Sequence, residues 1–193
     1  MKKPVILFKS GLYLILCWLS SFVITMFFQT FYEMLGIIMC FAFGLCSVGA
    51  CICLYGDFTL KQGRKMSVYD ERHTKEDNSH FGLVIGAVPT AINYIFVLVL
   101  YLSSFEIIKF DFYPYYKTLT LYFVPLTYLF APNKVEVIND VTMSVSVHAW
   151  ELSPFALIVI TVLPLVFLVT CWLGFRIGYK HIDVKERIIY GRK

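Results

Sequence analysis

The chain offers four groups of residues whose types and spacing could do chemistry. His148 and Glu151 stand three apart around Trp150, and one helical turn would put both on a single face, where they could bind a metal or pass a proton. Asp70, Glu71, His73, Glu76, Asp77 and His80 form a denser set. On a helix, His73/Asp77 and Glu76/His80 would be i, i+4 pairs with ligand chemistry. Asn93, with Thr90 and Tyr94 beside it, is the most polar residue deep in an apolar run, where such a side chain faces protein or water and not lipid. Cys46, Cys51 and Cys53 cluster, but Cys-x-Cys is not the Cys-x-x-Cys of a redox pair.

Each group also has a plainer reading. Two ligands are too few for a metal site, no HExxH supports His148 and Glu151, and Trp150-Glu151 ahead of Pro154 reads as an interface and a helix start. Arg72 and Lys75 fall among the acids and histidines of the second set, and mixed charge at that density is usual on a solvated surface. Asn93 is open to helix–helix hydrogen bonding as well as to a substrate contact. The cysteines read as small apolar packing residues. No motif assigns a catalytic residue, a metal or a cofactor.

The elements that must position these groups follow from composition. Of 193 residues 59% are hydrophobic, 18% aromatic and only 16% charged, a surplus of apolar surface that a small water-soluble domain has too little interior to hide. The charges leave long neutral runs: 23 residues between Lys9 and Glu33, 23 between Glu33 and Asp57, 25 between His80 and Glu106, and 24 between Glu151 and Arg176. A spanning helix needs about 20 mainly apolar residues. From Phe155 to Leu173 thirteen residues are Leu, Ile, Val or Phe, which favours insertion by about 4–8 kcal/mol. Pro164 within this run is tolerable, because a helix in lipid can re-satisfy a freed carbonyl locally. The apolar run after Met1-Lys2-Lys3 is too long for a signal core and lacks a small-x-small cleavage site before Glu33, so it is expected as a retained first span.

The expected fold is an all-α, four-helix transmembrane bundle forming one integral membrane domain over 1–193. Its spans are 10–32, 34–56, 81–105 and 152–175, with an inner loop at 57–80, an outer cap at 106–151 and a cytoplasmic tail at 176–193. Fourteen of the 17 Lys and Arg residues lie before span 1, between spans 2 and 3, or after span 4. Only Lys109, Lys117 and Lys134 fall elsewhere. Positive residues stay cytoplasmic, which puts both termini inside and makes the net charge of +4 a matter of topology and not of nucleic-acid binding.

The inner loop shows no long apolar periodicity and is expected as a partly ordered linker with a short surface helix. The cap begins with a dense aromatic segment, Phe110 to Phe130, expected at the headgroup level. The neutral stretch Thr118 to Asn133, 16 residues interrupted by Pro125 and Pro132, is too short to span and is expected at the outer surface or as a shallow re-entrant element. From Lys134 to His148 polar and apolar residues alternate, which indicates strand, and Asn139-Asp140 would turn it into a hairpin.

Gly82-x-x-x-Gly86 and Gly174-x-x-x-Gly178 are spaced for close helix packing. All six cysteines lie within spans, which excludes an extracellular disulfide framework. No Asp, Glu, Lys, Arg or His falls at mid-depth in a span, which weighs against proton- or ion-coupled transport.

The layout, with its polar loop before Gly82-x-x-x-Gly86, its Gly178-Tyr179-Lys180 and its basic Ile188-Ile189-Tyr190 ending, resembles small uncharacterised four-span bacterial membrane proteins. The resemblance implies a bacterial inner membrane and no functional residue. The expectation is a non-enzymatic subunit or accessory component that associates with another membrane protein or with itself. A small transporter or substrate-binding component is the alternative, and a membrane-embedded enzyme comes third.

Overall fold

The computed structural model describes residues 3–35, 37–73, 78–131, 134–138, 141–145 and 147–180. Its helices are α1 (Lys3–Leu35), α2 (Ile37–His73), α3 (Phe81–Ser104), α4 (Tyr113–Leu119), α5 (Val124–Thr127), α6 (Pro154–Val162) and α7 (Leu165–Tyr179). Strands β1 (Lys134–Ile138) and β2 (Val141–Val145) lie between α5 and α6. The strands pair antiparallel, from Lys134 opposite Val145 to Ile138 opposite Val141. The Asn139-Asp140 turn lies outside the described residues, as do Glu76, Asp77 and the tail after Lys180.

Among the described residues, four helical stretches are long and apolar enough to cross a membrane: Lys3–Phe28, Ile38–Glu71, Phe81–Ser104 and Pro154–Tyr179. Pro89 sits inside an unbroken α3. At Pro164 the helix breaks, ending α6 at Val162 and starting α7 at Leu165, as expected where a ring replaces an amide donor.

The expected inner loop is corrected over most of its length. Residues 57–73 are not a linker but the continuation of α2, which runs without interruption to His73. The reason is a stripe the apolar pattern hides. Tyr55, Thr59, Gly63, Met66 and Asp70 recur at helical spacing and are all buried, yet three of the five are polar or glycine. On the exposed side, Lys61 pairs with Asp57 one turn back at 2.6 Å.

The contacts divide the chain into two units. The first comprises Met1–Ile15, Ile52–Thr90 and Leu165–Lys193, and the second Leu16–Cys51 and Ala91–Pro164.

In the first unit α7 lies against both α2 and α3, and glycines set the spacing. A Cβ at Gly82 would meet Phe175 Cβ at 2.5 Å and the Cys171 carbonyl at 2.8 Å. One at Gly86 would meet Leu168 Cα at 2.9 Å. On the other side, a Cβ at Gly174 would lie 3.0 Å from the Gly56 carbonyl, and one at Gly178 would strike the Leu60 carbonyl. Gly63 on α2 is equally closed, by the Phe175 carbonyl and, at 2.8 Å, by the Tyr179 nitrogen. Helices without a hydrophobic force between them gain from this proximity. Polar side chains then tie α1 in: Tyr55 donates to the Ser10 carbonyl at 2.8 Å, and Ser10 donates to the Ile85 carbonyl at 2.9 Å.

In the second unit the segment from α4 through α5 packs inward. Tyr113 and Tyr116 join Val97 and Leu100 of α3 and Ala156, Leu157 and Ile160 of α6 in one core. Tyr101 bridges the same helices, its hydroxyl 3.0 Å from Thr161 Oγ1.

Candidate functional site

The polar groups that could carry function fall into three places. Each is built from chain segments far apart in sequence.

The first lies in the second unit, between α3 and the approach to α6. Asp111 stands two residues ahead of Tyr113-Pro114 at the start of α4. Its Oδ1 accepts the Tyr113 amide at 3.1 Å and the Ala149 amide at 3.0 Å, while Oδ2 meets His148 Nδ1 at 2.8 Å. One carboxylate therefore fastens the 149 backbone to the start of α4 and orients the imidazole. His148 is half exposed and stacks on Trp150, with ring centroids 4.6 Å apart and planes 9° from parallel. Glu151 Oε2 accepts the His148 backbone amide at 3.1 Å and closes the 149–151 turn. A carboxylate on Nδ1 is the arrangement that fixes a histidine tautomer. Sequence reasoning missed Asp111; the acid just ahead of a Pro-containing helix start was the available signal.

Lys117, one helical face away on α4, is buried to 9% exposure, with its ammonium 4.4 Å from the Tyr113 ring centre and 5.0 Å from that of Tyr128. Removal from water costs this ammonium its hydration. The two ring faces return part of the lost hydration as cation–π attraction.

The second place is the middle of α3. Asn93 is the thirteenth of its 24 residues and is fully buried. Its Oδ1 accepts the Tyr122 hydroxyl at 2.6 Å. Tyr122 belongs to the 3-10 turn Leu121–Phe123 between α4 and α5, so that turn reaches the level of the α3 midpoint. The carbonyls of α4 and of this turn take further donors from α1. Trp18 Nε1 donates to the Thr118 carbonyl at 2.7 Å and Thr25 to the Leu121 carbonyl at 3.4 Å. Thr120 and Thr127 turn their hydroxyls back onto the Tyr116 and Val124 carbonyls, both at 2.8 Å. Tyr94 packs against the core of the second unit, while Thr90 is buried in the first.

The third place is the end of α2 in the first unit. Asp70 is 3% exposed and accepts the Tyr179 hydroxyl at 3.0 Å and the Asn78 side-chain amide at 2.9 Å. Lys3 in turn donates to Asn78 Oδ1 at 3.2 Å. The start of α1, the ends of α2 and α7 and the turn before α3 are thereby knotted on one carboxylate. His73 closes α2, and His80 is exposed in the turn that starts α3.

Among the described residues no three His, Cys, Asp or Glu side chains come together as a metal cluster. The six cysteines carry no disulfide; Cys17, Cys40, Cys51 and Cys171 are buried, and Cys46 and Cys53 are exposed. Comparison with family models, with curated proteins and with solved structures finds no match for this chain.

Proposed function

We propose that this chain is a non-enzymatic subunit or accessory component of a membrane complex, embedded by four spans in a bacterial inner membrane with both termini cytoplasmic. The Tyr122–Asn93 hydrogen bond supports this reading most directly. A transport role for Asn93 needs water or solute to reach it, yet the amide is fully buried and held at 2.6 Å by a side chain of the same protein. Asp70 is likewise held by Tyr179 and Asn78. The polar groups a solute path would need are taken up in holding segments together.

The orientation draws support from the basic residues, fourteen of 17 of which lie before the first span, between the second and third, or after the fourth, where segments that stay cytoplasmic carry their positive charge. Residues 106–151 then form the outer side, with α4 and α5 entering the membrane as a re-entrant pair. Such a backbone is tolerated at that depth because it is largely helical, and Trp18, Thr25 and the threonines add further donors to its carbonyls.

Gentle solubilisation of the tagged protein from its own membranes, against an unrelated four-span protein as control, tests the subunit reading. A reproducible stoichiometric membrane partner, or a defined homo-oligomer, is expected. Elution as a lone monomer overturns it. Cysteine labelling from outside intact cells at residue 109 and at residue 62 tests orientation; only position 109 is expected to react.

A further inference from the structure

The end of α3 carries a feature that the subunit reading leaves unused. Glu106 and Ile107 close the helix by donating to the Ser103 and Leu102 carbonyls at 3.1 and 3.0 Å, the paired bonds of a Schellman turn. Beyond it, Glu106, Ile108, Lys109 and Trp150 line an open depression of about 340 Å³. Among the described residues, neither the Glu106 carboxylate nor the Lys109 ammonium takes part in an ion pair or a side-chain hydrogen bond. The indole wall, by contrast, is fixed: Trp150 lies flat on His148, and His148 is held by Asp111. Phe105, Ile107 and Phe110, which flank Glu106, Ile108 and Lys109 in sequence, are exposed. Exposed aromatic and aliphatic side chains with a tryptophan at the end of a spanning helix are the population found where acyl chains meet head groups.

We propose that this depression binds the head group of a zwitterionic phospholipid with a primary ammonium, Lys109 taking the phosphate and Glu106 the ammonium. Charge complementarity selects this occupant. A lone lysine at an interface would accept any anionic lipid. An unpaired acid three residues away penalises a head group of net negative charge and rewards one that presents a cation as well. A carboxylate can accept hydrogen bonds from –NH₃⁺, whereas a quaternary ammonium is better served by several aromatic faces, and among the described residues one ring, that of Trp150, lines the depression. The inference shares the four-span placement with the proposed function but is independent of any protein partner, so a failed partner search leaves it standing.

Titration of delipidated, detergent-purified protein with phosphatidylethanolamine and with phosphatidylglycerol, read by native mass spectrometry, tests it. The unsubstituted chain is expected to hold one phosphatidylethanolamine at least tenfold more tightly than phosphatidylglycerol. Glu106→Gln is expected to reverse that order, because Lys109 then acts alone, and Lys109→Gln to weaken both lipids at least tenfold. The reversal is a gain of affinity for one lipid, which misfolding does not mimic. Equal binding of both lipids by the unsubstituted chain, or an unchanged preference in Glu106→Gln, overturns the proposal.

Discussion

The two units solve the problem of holding helices together by opposite means. In the first, side chains are removed: Gly63, Gly82, Gly86, Gly174 and Gly178 each face backbone atoms of a neighbouring helix. In the second, chain is added: α4, α5 and the turn between them bring Tyr113, Tyr116 and Tyr122 inward and are secured by Asn93, Trp18 and Thr25. Gly44 belongs to the second unit, and its close neighbour is the Leu126 side chain. Backbone cannot step aside, while a leucine can change rotamer. The first unit should therefore be brittle towards added volume, and the second sensitive to lost hydrogen bonds.

The largest effect expected from breaking this contrast is at Gly178. Gly178→Ala forces a methyl group into the Leu60 carbonyl and should cost upwards of about 3 kcal/mol, whereas Gly44→Ala should cost about 1 kcal/mol or less. Gly49→Ala, with nothing within 4 Å, should be neutral. Thermal unfolding in detergent ranks the three, and equal losses at Gly178 and Gly44 would abolish the distinction.

Next comes Tyr122→Phe, which removes the donor to the buried Asn93 oxygen. A loss of about 1–3 kcal/mol is expected, and the double variant with Asn93→Leu should lose less than the two single changes summed.

Lys117 sharpens the comparison through charge. Its ammonium is buried against the Tyr113 and Tyr128 rings, so Lys117→Met should be neutral or stabilising by about 1 kcal/mol in thermal unfolding. A loss of about 2 kcal/mol or more would mean that the ring contacts outweigh the cost of burying the charge.

The smallest effect, and a favourable one, is at Glu106. It occupies the left-handed position of the turn ending α3, at φ 56°, where glycine is usual. Glu106→Gly should stabilise by about 1 kcal/mol. A loss instead would mean that the carboxylate holds something in the folded state.

Charge spacing alone made the four apolar stretches legible, because a neutral, mainly apolar run of more than about 20 residues is rare outside a membrane span. The extension of α2 was not legible. Its buried face is Thr59, Gly63, Met66 and Asp70, and a hydropathy pattern discards all but the methionine. The alternation after Lys134 reads directly as strand, since a period of two needs no knowledge of the partner. Asn93 stood out as polar within an apolar run, but nothing near it in sequence points to Tyr122, 29 residues on. Asp111 was obscured for the same reason: the amide of Ala149 and the ring of His148 come from 37 to 38 residues away.

The make-up of the first unit bears on the order in which the protein is made. It draws on the start of α1, the length of α2 and α3 between Ile52 and Thr90, and α7. The knot on Asp70 waits for Tyr179, 109 residues later. At about 5–20 residues per second, the ribosome has presented every segment of the second unit before α7 exists. Until then the glycine faces of α2 and α3 have no helix to receive. Assembly should thus run from the second unit to the first, with α7 as the closing piece. A nascent chain halted at Pro164 would expose to the membrane's quality-control proteases the surfaces that the finished protein hides.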